Sequence, residues 1–211
     1  MANFYSIRSR QLQDHFDTRR LADRARAVIV HERITPEDKL LIESLAMFFI
    51  ATVDVHGSPQ CSYKGGAPGF VRVLDERSLA FPLYDGNGMY LTAGNILQSP
   101  QVGLLFIDFE NARRLRLNGS ASINTADPLL GAYHEAQLIV RIEVREIFVN
   151  CPRYVHKAVW VEQSPFVPES GRETPIPDWK RKDIMRDALS ARDRARLEQE
   201  KNPTNGRRGK K

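Results

Sequence analysis

The closely spaced series of apolar, strand-like segments between residues 47 and 150 most restricts the possible fold. "MFFIATVD" (47–54), "QVGLLFID" (101–108) and "QLIVRIEVREIFVN" (137–150) are rich in the β-branched and aromatic residues that favour strands. The other predicted strands are 60–64, 69–75, 78–84 and 113–124. Short turns join most of them, whereas a parallel sheet needs a long crossover between strands. The pattern therefore predicts an antiparallel barrel rather than a doubly wound sheet.

Helical patterns flank this series. Residues 3–30 combine charges with spaced apolar side chains, and "TPEDKLLIESLA" (35–46) begins with a capping Thr35 and with Pro36 at the first helical position. A short helix is predicted over 89–99, and 125–136 is interpreted as a helix or a turn. We therefore expect a mainly β fold with flanking helices.

The chain divides into four predicted segments. They are an N-terminal helical segment (1–34), a barrel (35–157), a proline-rich wrap followed by a charged helix (158–199), and a disordered basic tail (200–211). The length of 211 residues suits a single domain with appended helices.

The net charge of +5 is unevenly distributed. Residues 180–211 hold 12 basic and 5 acidic residues, residues 1–26 hold 6 arginines and 3 aspartates, and residues 27–179 carry the remaining 13 basic and 18 acidic residues. The central part of the chain is thus acidic, which argues against nucleic-acid binding by the folded body. Residues 180–211 are the candidate for binding nucleic acid or another anionic surface, but their five acidic residues and lack of interleaved aromatics favour a solvated helix. The sequence contains no apolar run of about 18 residues, so we predict no membrane span. It also shows no apolar leader at its N-terminus, and we therefore expect a cytoplasmic protein.

The segment "SYKGG" (62–66) contains more glycine than a strand connection requires. Lys64 offers a positive charge and Ser62 a hydroxyl, and the glycines allow close backbone approach, as a phosphate ligand requires. The same pattern also fits a wide connection with a solvent-facing lysine, and the spacing is not that of a P-loop.

The segment "FPLYDGNGMYLTAGN" (81–95) predicts a strand, a loop and a helix that opens at Met89. A helix N-terminus can bind an anion through its free N–H groups. Asn95 is then a candidate donor, and Phe81, Pro82 and Tyr84 would form an apolar wall. An ordinary strand–loop–helix connection explains the pattern equally well.

Two further segments hold candidate residues. In "RRLRLNG" (113–119), Arg114 and Arg116 share one strand face, which suits an anionic ligand or a solvated surface. Cys151 has no activating neighbour in the sequence, so a strand end is favoured over a nucleophile. The two cysteines and five scattered histidines match no zinc spacing, and we expect no metal site.

Taken together, these residues resemble a known family. "FFIATVDVHGSPQCSYKGG", "GFVRVLD", "LAFPLYDGNGMYLTAGNILQSPQVGLLFIDF" and "RLRLNGSA", followed by "NCPRY", are similar to the pyridoxamine 5′-phosphate oxidase-like flavoproteins over roughly residues 36–157. The resemblance implies a six-stranded antiparallel split barrel that binds FMN.

The resemblance also implies a homodimer with FMN at the subunit interface. It places Ser62, Tyr63, Lys64 and Gly65 beside the flavin, with the lysine near the phosphate. It places Phe81, Pro82, Asp85, Asn87, Gly88 and Met89 along the ring and phosphate, Asn95 in the phosphate helix, and Arg114 and Arg116 near the ring from the other subunit.

The chain departs from true pyridoxamine 5′-phosphate oxidases at three places. It lacks their Arg-x-x-x-x-Lys stretch, their Ser-Arg-Lys phosphate group and their C-terminal Arg-x-His segment. Vitamin B6 synthesis is therefore not assigned.

Three hypotheses remain. The first is an FMN-dependent oxidoreductase that transfers hydride through the flavin, with no catalytic side chain assigned and a nicotinamide as candidate electron donor. The second is a non-catalytic flavin-binding or redox-sensing module. The third is a split barrel that binds deazaflavin or haem.

Overall fold

The computed structural model describes residues 4–201, and eight antiparallel strands form one sheet. The strands are β1 (Val30–His31), β2 (Met47–Val53), β3 (Pro59–Gly65), β4 (Arg72–Asp75), β5 (Ser78–Leu83), β6 (Gln101–Asp108), β7 (Arg113–Asn124) and β8 (Leu138–Val149). Their order is β3-β2-β6-β7-β8-β5-β4, and β1 also pairs with β8. This sheet confirms the mainly β, antiparallel, split-barrel fold.

The strand count differs from the expected six. Seven strands coincide with the predicted segments to within one residue at the start of β3 and one at its end, or lie inside them. The eighth is β1, whose two residues pair with Phe148 and Ile147. A two-residue strand has no alternation of its own, so only its pairing with β8 identifies it.

The core lies on the inner face of the curved sheet. Phe48, Phe81 and Phe106 are fully buried, and the Phe48 ring lies 4.9 Å and 5.2 Å from the other two ring centroids. Leu41 and Ile42 from helix α3 (Pro36–Ser44) pack into the same cluster. Burial of these large side chains is the main source of stability.

The helix starts agree with the sequence only where local capping decides them. Thr35 caps α3, as predicted, and the structure adds a reciprocal bond from Asp38 that completes a capping box. The expected 3–30 helix is instead two helices, α1 (Ile7–His15) and α2 (Arg19–Ile29), because Asp17 adopts a left-handed conformation with φ +51°. The segment at 125–136 contains a 3₁₀ helix over Pro128–Ala132.

Helix α4 (Leu91–Gln98) begins two residues later than expected. Tyr90 is its N-cap and has φ +49°, which interrupts the helical conformation at that residue. Met89 therefore lies in the loop before the helix.

The described chain forms two compact units that divide after Glu162. In the second unit, the charged helix predicted at the end of the 158–199 segment is not continuous: the chain there forms α5 (Asp178–Arg181), a 3₁₀ turn (Asp183–Met185) and α6 (Ala191–Lys201). Lys180 of α5 binds Asp193 of α6 at 2.9 Å, which requires the chain between them to reverse. Glu200 and Lys201 belong to α6, and the rest of the predicted disordered tail lies outside the described residues.

No helix between residues 4 and 201 is long and apolar enough to cross a bilayer.

Candidate functional site

A cleft of about 340 Å³ opens between strand β3, the end of β5 and the start of α4. Its lining comes from three segments that are distant in the sequence: Ser62, Tyr63 and Lys64; Leu83, Tyr84, Gly86, Asn87 and Gly88; and Tyr90, Leu91, Thr92 and Ala93. The loop between β5 and α4 therefore forms one side of the cleft and β3 forms the other.

Lys64 and Ser62 face α4 because of the register of β3. They pair with Phe48 and Ile50, whose side chains point into the core, so alternate residues of β3 share this inner face. Lys64 Nζ donates to Thr92 Oγ1 at 3.0 Å, and Thr92 Oγ1 donates to Ser62 Oγ at 3.2 Å. An ammonium group and two hydroxyls thus lie together at the helix start.

Burial lowers the pKa of Lys64, because the partly desolvated side chain favours its neutral form. Within residues 4–201, no carboxylate forms an ion pair with this ammonium group. A half-buried positive charge without a negative partner is costly for folding alone. It is well placed to receive an anionic ligand.

The start of α4 adds backbone donors to the same place. Tyr90 makes no side-chain cap, and the first helical bond runs from the Gly94 N–H to the Tyr90 carbonyl at 2.8 Å. The N–H groups of Leu91, Thr92 and Ala93 therefore precede the internal bonding of the helix. Together with the helix dipole, they favour negative charge.

The loop before α4 leaves space for a ligand. Asn87 Oδ1 accepts from the Met89 N–H at 3.0 Å, and Gly88 has φ +76°, a conformation that favours glycine. A Cβ atom added at Gly86 or Gly88 would meet nothing within 4 Å. Ammonium, hydroxyl and backbone donors around an open, glycine-lined cleft fit a phosphate group.

Other residues that line the cleft are less polar. Leu83, Tyr84 and Leu91 contribute apolar surface to it. Burial raises the pKa of Tyr84 to about 12, so its hydroxyl stays protonated near neutral pH. The lining therefore suits a ligand that has both a phosphate group and an apolar part.

The sequence-predicted residues fall into three groups. The first group lines the cleft and consists of Ser62, Tyr63, Lys64, Tyr84, Asn87 and Gly88. The second group belongs to β3, β5 and the loop but does not line the cleft: Gly65, Phe81, Pro82, Asp85 and Met89. The third group, Asn95, Arg114 and Arg116, does not line it either. The side chains of Phe81 and Pro82 are both buried, but they point to opposite faces of β5, and only Phe81 belongs to the core, where it packs against Phe48.

The other three residues of that second group border the cleft indirectly. Gly65 follows Lys64 on β3, and a Cβ atom added there would lie 2.8 Å from the Tyr63 ring. Asp85 Oδ1 accepts from Gln137 Nε2 at 3.3 Å. Met89 is 61% exposed on the outside of the loop.

Asn95 has a different position from the expected one. Its side chain is 8% exposed, and its amide donates to Thr52 Oγ1 at 3.0 Å and to Gln60 Oε1 at 3.1 Å. These bonds attach α4 to β2 and β3. Asn95 thus holds the helix that presents Thr92, and its side chain does not line the cleft.

Arg114 and Arg116 lie away from the cleft within one chain. Arg116 pairs with Leu105 of β6, which has the same register position as Phe49 and Tyr63 on the neighbouring strands. This row lies on the outer face of the sheet. Arg114 donates from Nη2 to the Cys151 carbonyl at 2.8 Å, so β7 places both arginines three strands from β3.

Sequence analysis missed several lining residues, above all Thr92 and Tyr90. Thr92 is a hydroxyl residue in the first turn of a predicted helix beside a glycine-rich loop, which is a recognisable signal. Its contact with Lys64 connects residues 28 positions apart and follows only from docking of α4.

The expectation of no metal site can be compared with the described residues alone. Residues 4–201 contain no group of three or more His, Cys, Asp or Glu side chains placed to hold a metal ion. Cys61 and Cys151 are both exposed and free.

Solved structures with a similar fold cover about 60% of this chain. They include HupZ of Group A Streptococcus (25% identity, TM-score 0.46, 60% of this chain and 99% of that one). Others are the haem storage protein HutZ of Vibrio cholerae (20%, 0.42, 56% and 94%) and an FMN-binding protein of Syntrophomonas wolfei (9%, 0.43, 66% and 97%). All three TM-scores are below 0.5, so nothing about the cleft is inferred from them.

Two further comparisons concern the sequence. No curated protein matches the chain. The family model for pyridoxamine 5′-phosphate oxidase matches residues 34–155, which is more than half of the chain and includes α3, α4, strands β2 to β8 and every residue that lines the cleft. The chain therefore belongs to the pyridoxamine 5′-phosphate oxidase family.

Proposed function

We propose that this protein binds FMN in the cleft and acts as an FMN-dependent oxidoreductase. The observation that carries the proposal is the cluster of Lys64, Thr92 and Ser62 beside the uncapped start of α4. Membership of the oxidase family supports a flavin as the ligand. FMN supplies the hydride-transfer chemistry when bound.

Different residues of the cleft would bind different parts of FMN. Lys64, the two hydroxyls and the free N–H groups of α4 bind the phosphate through charge-assisted hydrogen bonds. Leu83, Tyr84 and Leu91 pack against the flat part of the ligand and exclude water. Tyr84 keeps its proton near neutral pH and can donate a hydrogen bond to the ligand or substrate.

A second copy of the chain would complete the site. The outer face of the sheet carries the apolar row of Tyr63, Phe49 and Leu105, which ends at Arg116. Tyr63 is 55% exposed and also lines the cleft, so a partner on this face would lie beside the ligand. In this homodimer, Arg114 and Arg116 of the partner would lie near the ring of the ligand, where their positive charges would favour an anionic form of it.

Substitution of Leu105 by Arg tests the homodimer. A buried, unpaired charge in the interface is expected to give a monomer by light scattering and to weaken FMN binding. The control is Leu40→Arg on α3, where the leucine is 73% exposed and outside this face. A Leu105→Arg protein that remains dimeric would exclude this interface.

The absorbance spectrum of the purified protein tests the cofactor. We expect flavin bands, or their appearance on addition of FMN, and FMN in the mass spectrum of the ligand released by denaturation. A protein that stays colourless with added FMN would refute the proposal. Release of a deazaflavin or haem would instead support those ligands for this cleft.

Anaerobic reduction tests the oxidoreductase activity. Loss of the flavin absorbance with NADH or NADPH would support a nicotinamide electron donor and turnover. A bound flavin that neither nucleotide reduces would favour the alternative of a non-catalytic flavin-binding or redox-sensing module.

A further inference from the structure

The side chain of Gln137 connects the two ends of the cleft loop. Tyr90 Oη donates to Gln137 Oε1 at 2.7 Å, and Gln137 Nε2 donates to Asp85 Oδ1 at 3.3 Å. Asp85 is the second residue of the loop that follows β5 and contains Gly86 and Gly88, and Tyr90 ends this loop at the N-cap of α4. The side-chain amide of Gln137 thus connects Asp85, which precedes the two glycines, with Tyr90, which follows them.

The backbone of Gln137 is itself held in place. Its N–H donates to the Leu83 carbonyl at 2.9 Å, directly before Leu138 pairs with Leu83 in the β5–β8 ladder. The bridge is therefore attached to the sheet and not to another loop. It gives the loop a fixed reference point on a rigid element.

Tyr90 needs such an anchor because its backbone is unfavourable. It has φ +49° and ψ +28°, a left-handed conformation that costs a non-glycine residue about 1 kcal/mol or more. It also offers no side-chain cap to the helix. Its phenolic hydroxyl instead donates a hydrogen bond to the Gln137 amide, and this bond holds the Tyr90 backbone at the start of α4.

We propose that Gln137 is a positioning residue that sets the direction of the first N–H groups of α4 toward the cleft. Gln137 does not line the cleft, so it acts through Tyr90 and Asp85. A loop already held in place loses less conformational freedom when a phosphate binds, which raises affinity. The effect on FMN rests on the proposed function, whereas the effect on the loop does not.

The observed pair of bonds suits an amide at this position. The carboxylate of Asp85 only accepts hydrogen bonds, and the Tyr90 hydroxyl here donates, so the group between them donates on one side and accepts on the other. Leucine can do neither. Glutamate can accept from Tyr90, but it would repel the carboxylate of Asp85.

The first experiment measures the loop without ligand in Gln137→Leu. The Gly94 amide, which donates to the Tyr90 carbonyl, reports the first turn of α4. We expect its hydrogen exchange to become about tenfold faster after loss of the two hydrogen bonds, while amides of β6 keep their rates. The control is Gln101→Leu, where the amide accepts one 3.4 Å bond from Arg145 at the sheet surface.

The second experiment measures FMN affinity in the same variants and in a charge-swapped pair. We expect the Kd to rise about tenfold in Gln137→Leu and in Gln137→Glu. Adding Asp85→Asn to Gln137→Glu restores a donor opposite the carboxylate and should recover most of the loss, whereas Asp85→Asn alone should not improve binding.

The two experiments fail in distinguishable ways. Unchanged Gly94 exchange in Gln137→Leu would overturn the positioning role, whatever the ligand. If exchange of the Gly94 amide becomes faster in Gln137→Leu but the Kd for FMN does not change, the link between the loop position and FMN binding would be overturned. A wild-type protein that binds no FMN would instead refute the proposed function, and the exchange data would still decide whether Gln137 holds the loop.

Discussion

Replacement of Lys64 by methionine separates ligand binding from folding. The lysine is partly buried, donates to Thr92 at 3.0 Å and has a pKa lowered by desolvation. Methionine keeps most of the apolar stem and removes the charge. We expect the variant to lose FMN affinity and to keep its stability, because the positive charge binds the phosphate but does not stabilise the fold.

The size of the binding effect follows from the bond that is lost. A hydrogen bond between charged groups contributes about 1.5–3 kcal/mol, which corresponds to a rise in Kd of about 10- to 150-fold. In the ligand-free protein, loss of the bond to Thr92 is opposed by relief of the desolvation cost. We therefore expect the midpoint of thermal unfolding to change by no more than about 4 °C.

The pH dependence has a defined sign. Because the pKa of Lys64 is lower in the folded protein than in the unfolded chain, the unfolded chain binds more protons between these two pKa values. In that interval stability rises with pH, whereas at lower pH the desolvation cost is fully present. FMN affinity should fall over the same interval, because the ammonium that binds the phosphate is lost.

Quenching of flavin fluorescence between pH 7 and 10 measures this dependence. The wild-type Kd should rise toward the alkaline end, the Lys64→Met Kd should be nearly constant, and the exposed Lys157→Met control should follow the wild type. Provided that the wild type binds FMN, two results would show that the assignment of Lys64 to the phosphate is wrong. One is an equal Kd for Lys64→Met and the wild type, and the other is the same rise of both Kd values with pH.

Three further substitutions test neighbouring features. Gly65→Val should weaken FMN binding more than it weakens folding, because the new side chain displaces only the flexible Tyr63 ring; FMN titration and thermal unfolding compare the two effects. Gly66→Ala should do the reverse and destabilise by about 1–3 kcal/mol in urea unfolding, because its Cβ would lie 2.4 Å from Phe70 in the core. Asn95→Ala should cost about 1–3 kcal/mol by leaving buried acceptors unpaired, and an unchanged midpoint in denaturant would contradict its role in docking α4.

The strands and the capped helix were predictable because local patterns specify them. Thr35 lies three residues before Asp38, and this spacing alone is enough for the capping box of α3. The breaks at Asp17 and Tyr90 were not predictable, since both residues adopt left-handed conformations that their sequence neighbours do not require. The two-residue strand β1 has too little pattern to be recognised without its partner β8.

The candidate site was predictable as a set of segments and not as an arrangement. The Asn95 amide could donate a hydrogen bond to a phosphate, yet it donates to Thr52 and Gln60 inside the protein. Gln137 follows no motif, because its two partners belong to a loop that is distant in the sequence.

The sequence by itself determined that Lys64 and Ser62 share one face of a strand and that a glycine-rich loop precedes a helix. These features depend on the two-residue period of a strand and on the backbone freedom of glycine. The tertiary structure decided what this face meets: docking of α4 brings Thr92 to Lys64, whereas strand order places Arg116 three strands from β3. Strand order and helix docking depend on long-range packing, which no local pattern contains.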